Sequence, residues 1–232
     1  MMKKIFTAGL LSMGLLGSAQ AQDLGIEITN LTQGIYFTPL LVSAHNNSTQ
    51  LFKPGDAASA NLQAMAEGGD ISGLATDLTN AGADTIENPA GGLLAPGAST
   101  HTMINSNSGN THLSLTAMML PTNDGFVGLN ALEIPTIAGR YTYYLNAYDA
   151  GTEVNNEIVN GAGTPGELGI PADPGGAAGN SGSGITQNET NTTVHIHRGN
   201  LGDTDSQGGA SDLDSTVHRW LNPVAKLVIT VY

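Results

Sequence analysis

Three acids and the turns around them carry the clearest chemistry in this sequence. In YLNAYDAGTEVNNE, residues 144–157, Asp149 and Glu153 stand four apart around Gly151, with Asn155, Asn156 and Glu157 behind them. In MMLPTNDGFVG, Asp124 follows another apolar run. Both runs have the pattern of strands, so the acids fall at strand ends or in the loops beyond, where β-folds carry function. Two arrangements are open. If the strand ends are neighbours, three carboxylates meet, and like charges gathered in one place call for a cation. Calcium suits such a place, because it accepts roughly six to eight oxygen ligands in flexible geometry. Zinc would want His or Cys, which this cluster does not offer. If the ends are far apart, the acids are three solvated loop carboxylates.

Other residues suggest other chemistry. In VHIHRG, His195 and His197 are two apart on a strand and therefore face the same side. Such a pair can begin a zinc or copper site, with His112 or His218 as a third ligand, or can simply pack. In DTDSQGGASDLD, residues 203–214, Asp203, Asp205 and Asp214 fall at positions 1, 3 and 12 of a calcium-loop register. The flanks are not helical and position 12 is Asp, so the pattern also fits a solvated acidic loop. Asp149 and Glu153 could be the paired acids of a glycosidase, but such clefts are usually lined with aromatics, which make up 5% of this chain. The lone Trp220, just before the final strand pattern, fits packing over the core or an edge. No G-x-S-x-G, cysteine or phosphate-cradling loop is present.

The elements that must position these groups begin after a leader. MMKKIFTAGLLSMGLLGSAQA has a basic start, a short apolar middle and Ala19-Gln20-Ala21, the pattern of a signal peptide over residues 1–21. A periplasmic or secreted protein is the expectation, with no transmembrane segment in the mature chain. Residues 22–232 are long enough for one domain with a real core, without disulfides. Loss of Lys3 and Lys4 takes the net charge from −13 to −15. That surface repels nucleic acid and anionic lipid and attracts divalent cations.

Alternation of apolar and polar residues predicts strands at 24–31, 34–45, 99–106, 112–120, 139–148, 192–199 and 223–232. Pro39 places the second at an edge or bulge. Two short helices are expected near 57–67 and 71–80, with Asp56 as a cap and Gly68-Gly69 as a stop. Residues 160–190 have little to bury and read as a long, mobile surface loop. The sum is an all-β antiparallel sandwich with one or two short helices inserted, or else a closed barrel.

LPTNDGFVGLNAL, YDAGTEVN and HRWLNPVAKLVITVY occur in this order and together resemble the N-terminal spondin domain of the F-spondin and mindin type, as found in bacterial exported proteins. ITNLTQGIYFTPLLVSAH is similar to the family's opening strands, so the likeness spans about 26 to 232. The resemblance implies an antiparallel β-sandwich akin to calcium-dependent lipid-binding domains, and a calcium site made by Asp124, Asp149 and Glu153. Gly125 stands where the family often has Trp, and Glu153 where Asp is common. On this resemblance the expected function is a non-catalytic calcium-binding module. It would act in adhesion or recognition at the cell envelope, with a protein or glycan ligand. A hydrolase or a zinc or copper protein using His195 and His197 is the alternative.

Overall fold

The computed structural model describes residues 21–232, so the expected signal peptide lies outside the described residues apart from Ala21. Ten strands and two helices follow one another: β1 (Gln22–Asn30), β2 (Tyr36–Phe37), β3 (Leu41–His45), α1 (Ala60–Gly68), α2 (Ser72–Asn80), β4 (Asp84–Glu87), β5 (Ser99–Ser106), β6 (His112–Leu120), β7 (Gly125–Glu133), β8 (Gly139–Asp149), β9 (His195–Ile196) and β10 (Ala225–Val231). All strand pairs are antiparallel. The all-β expectation with two short helices holds. The main path runs β4-β3-β6-β7-β8-β10-β1-β5. Its two ends touch, where the Asp84 carboxylate accepts the Asn107 backbone N–H at 2.6 Å and the Asn110 amide at 2.8 Å. The sheet is therefore curled nearly closed, like a flattened barrel.

β8 makes the turn between the two layers. Residues 139–145 pair with β10, while residues 146–149 pair with β7. Strands that pass between layers in this way are how β-folds build corners. Between the layers, Ile26 and Ile28 of β1, Leu227 and Ile229 of β10, Leu115 and Met119 of β6 and Val127 of β7 form one buried core. Complete burial of each such side chain is worth about 1.5–3 kcal/mol. Trp220 closes this core, as its position before the last strand suggested.

Alternation on β6 explains why nearly all of it is buried. Leu113, Leu115, Ala117 and Met119 point into the main core, while Met118 and Leu120 point outward into a second cluster. The helices cover that outer face with Leu62, Met65, Leu74 and Leu78. The cap of α1 is Ser59, whose Oγ accepts the Leu62 N–H at 3.1 Å, and not Asp56. The helix stops at Gly69, whose φ of 74° is costly for other residues.

Pro39 breaks the second predicted run into β2 and β3. The 192–199 run yields only β9. β4 and β7 were not foreseen. In β7, small glycines at Gly125 and Gly128 weaken the alternating pattern that betrays a strand. The surface loop at 160–190 is largely exposed, yet Ile170 within it is fully buried and bridges to Val159.

Leu115 lies fully buried where β6 meets the core of both layers. Leu115→Ala should cost about 2–5 kcal/mol in denaturant-induced unfolding, the range for large-to-small core changes. A loss under ~1 kcal/mol would show that this core is far looser than its burial implies.

Candidate functional site

Register brings the first two acids together. Gly125 of β7 pairs with Asp149 of β8, so Asp124 stands immediately beside the strand end that carries Asp149. The Asp124 carbonyl accepts the Ala150 N–H at 3.2 Å, which ties the two ends further. Asp124 is 0% exposed, Asp149 2% and Glu153 8%. The alternative of three solvated loop acids is thus overturned by burial.

Gly151 explains how the chain turns back. Its φ is +69°, and a Cβ there would come within 2.7 Å of the Thr192–Thr193 backbone. Only glycine combines that conformation with that approach. The turn aims backbone donors at Asp124. Its Oδ2 accepts the Thr152 N–H at 2.8 Å and the Glu153 N–H at 3.1 Å. Its Oδ1 is buried and has no hydrogen-bond partner among the described residues. Asp149 Oδ1 accepts the Gly151 N–H at 2.8 Å, and its Oδ2 accepts the Asn155 amide at 2.7 Å.

Glu153 is held differently. Its backbone lies against Asp124, but its Oε2 accepts the Asn123 amide at 3.1 Å and the Gly169 N–H at 3.2 Å. Accordingly, among the described residues no three His, Asp or Glu side chains stand together as a ready metal-ion ligand set. The structure delivers a carboxylate pair, with the third acid anchored close by.

Burial, and then the charge of Asp149, push the Asp124 carboxyl up to about 7. Burial, with Glu67 and Asp124 adding repulsion, pushes Glu153 up to about 8. Burial also raises Asp149, against the Asn155 hydrogen bond. Two partners were invisible in the sequence. Glu189, which raises Asp149 further, accepts from the Asn155 amide at 3.0 Å and lies 3.7 Å from Arg198. Nothing in the spacing marks it. His195 pairs with Asp149 in the β8–β9 ladder and brings Nδ1 within 3.7 Å of its Oδ1. The expectation that no histidine adjoins the acids is therefore corrected.

His195 and His197 do not act as a pair. His195 Nδ1 lies 2.8 Å from the Thr193 carbonyl, to which it donates. His197 is buried, accepts the Gly199 N–H on Nδ1 at 2.9 Å and packs on Trp220 with ring centroids 4.9 Å apart. Burial lowers its pKa to about 3, so it stays neutral. A Cβ on Gly125 would meet Thr122 Oγ1 at 2.7 Å and His197 Cδ2 at 3.1 Å. Those two side chains fill the space a larger residue at 125 would need.

The 203–214 loop is satisfied by its own backbone. Asp203 accepts N–H groups from Asp205, Ala210 and Ser211, and those from Ser211 first hold its carboxyl below the usual range. Asp205 accepts from Gln207, and Asp214 from Thr216. Turn formation accounts for all three acids.

The family model described as Spondin_N, the spondin N-terminal domain, matches residues 29–157. The match contains Asp124, Asp149 and Glu153 and ends before His195, Trp220 and β10. It is narrower than the span over which the sequence motifs suggest the likeness. No curated protein matches the chain.

An acid whose pKa is raised by folding favours the fold while protonated. That contribution is complete below the ordinary values of 3.8 for Asp124 and 4.5 for Glu153, and is lost as pH rises through about 7 and about 8. Asp203 and Asp214 work in the opposite sense, but only below 3.8, and the buried His45 and His197, whose pKa values are lowered, do so only below 6.5. The melting temperature of chelator-treated protein should therefore fall between about pH 6.5 and about pH 8. A rise across that window would contradict the buried, repelling carboxylates.

Proposed function

The chain belongs to the spondin N-terminal domain family, and from that premise we propose that it is an exported calcium-binding recognition module without catalytic activity. The family is one of extracellular recognition modules and is not a known enzyme family. Among the described residues, no helix is long and apolar enough to cross a membrane. The leader pattern in the sequence supports delivery to the periplasm or beyond, where the module would serve adhesion to a protein or glycan at the envelope.

One observation carries the calcium assignment: Asp124 Oδ1, buried without a donor beside the Asp149 carboxylate. A buried acceptor with no partner costs about 1–3 kcal/mol, and a second buried acid beside it adds repulsion. A hard cation relieves both. The donor set is oxygen throughout, which fits calcium. Asp124 and Asp149 would hold the ion, and Glu153 would complete the set by turning its carboxylate from Asn123 and Gly169. Bound calcium would supply the positive charge that offsets the carboxylate repulsion. The residues around it order the pole: Gly151 sets the turn, Asn155 fixes Asp149, and the Thr152 and Glu153 amides fix Asp124. His197 buried under Trp220 and the Thr193-bound Nδ1 of His195 give the zinc or copper alternative no comparable support.

Calcium should raise the melting temperature, by the equivalent of about 2.7 kcal/mol at a hundredfold excess over Kd. Asp124→Asn is the sharper test. It keeps an oxygen for the Thr152 and Glu153 amides and removes one charge. Calcium affinity measured by calorimetry should drop at least about tenfold, or ~1.4 kcal/mol. The chelated variant at about pH 8 should be no less stable than wild type, because a repulsion has gone. Unchanged affinity would remove Asp124 from the ligand set.

A further inference from the structure

Glu153 is the acid of the three whose carboxylate holds a distant loop, at the Gly169 N–H. Beneath the loop of residues 158–170, two buried carboxylates stand within electrostatic reach of each other. They are Glu67 at the end of α1 and Glu153. Each holds one backbone donor of that loop. Glu67 Oε2 accepts the Gly166 N–H at 2.6 Å, and Glu153 Oε2 accepts the Gly169 N–H at 3.2 Å. Gln63, one turn back on α1, steadies the other Glu67 oxygen at 2.8 Å. Behind the second anchor, Ile170 is fully buried and bridged to Val159. The residues between the anchors are exposed, including half of Leu168.

We propose that residues 163–169 form a strap whose Glu153 anchor is released when the carboxylate pair takes up calcium, so that loading of the metal site loosens the Gly169 end of the strap. The proposal rests on the calcium reading above. As it stands, Glu153 does not complete a ligand set with Asp124 and Asp149. To do so its carboxylate must turn, and turning takes Oε2 away from the Gly169 and Asn123 donors. The Glu67 anchor has no such competing demand, because Gln63 and Gly166 account for its two oxygens. The Gly169 end would then keep only the Asn160 amide on the Leu168 carbonyl, at 2.9 Å, and the Ile158–Ile170 pairing, while the Gly166 end keeps its carboxylate anchor. Both anchor positions are glycines with positive φ, +88° at Gly166 and +140° at Gly169. Glycine can leave such conformations for others at little steric cost.

Amide-resolved hydrogen exchange by NMR, with calcium binding measured by calorimetry on the same sample, tests this. In chelator, the Gly169 amide should be protected. At saturating calcium its exchange should quicken at least about tenfold, while the Gly166 amide and the β1 and β10 amides do not quicken. Glu153→Ala should free the Gly169 amide in chelator, without any metal. If calorimetry shows calcium bound and Gly169 stays protected, the strap proposal is wrong and the calcium reading survives. If no calcium binds, both fall. Equal quickening at Gly166 and Gly169 would replace a one-ended strap with general loosening, and would also overturn the proposal.

Discussion

The pairing of Gly125 with Asp149 sets the terms for the whole loop-bearing pole. It puts two carboxylates side by side in the interior, and everything built afterwards must answer their charge. The chain answers with backbone N–H groups. Asp124 takes two from the turn at Thr152 and Glu153. The pattern then spreads through the apolar-poor region that follows. Glu157 accepts from Leu201, Gly202 and the Ser211 hydroxyl, and Asp212 from Val159 and Gly182. Asp173 accepts from Gly175 and Ala178. Here buried acids do the organising that leucines do elsewhere, by collecting donors from distant stretches of loop.

That scheme explains which parts of the molecule were legible in the sequence. Strands with clean alternation, such as β5 and β6, are readable because burial imposes a period of two. That Asp124 and Asp149 stand at strand ends was readable; that those ends are neighbours was not, and it was the family resemblance that grouped them with Glu153. What could not be read was how the loops answer them. Glu189 reaches Asn155, and Glu67 reaches Gly166, through folds of irregular chain with no period at all. β7 escaped for the opposite reason, since Gly125 and Gly128 supply a strand with no side chains to show its faces. The space at Gly128 is taken by Phe52, whose ring would lie 2.7 Å from an added Cβ.

His197 shows how one position can conceal its role. Two histidines on one strand face look like the start of a metal site. Their surroundings separate them: one leans on Asp149 at the rim, the other fills the volume beside Gly125 under Trp220. Both come from outside the segment that matches the family model, yet both touch the paired strand ends inside it. The 158–232 portion is thus part of how this particular chain finishes its site.

β10 lies between β8 and β1 in the sheet, and it joins Leu24 to Val231 across more than two hundred residues. Topology of that kind acts as a clock. Until the last strand is made, β1 lacks its inner neighbour, β8 lacks the partner of its first half, and the apolar faces of both stay uncovered. Non-local closure of this sort folds slowly. A ribosome would release most of this sequence before its central ladder could close, leaving a long interval in which the polypeptide is still threadable and must be shielded from its own kind.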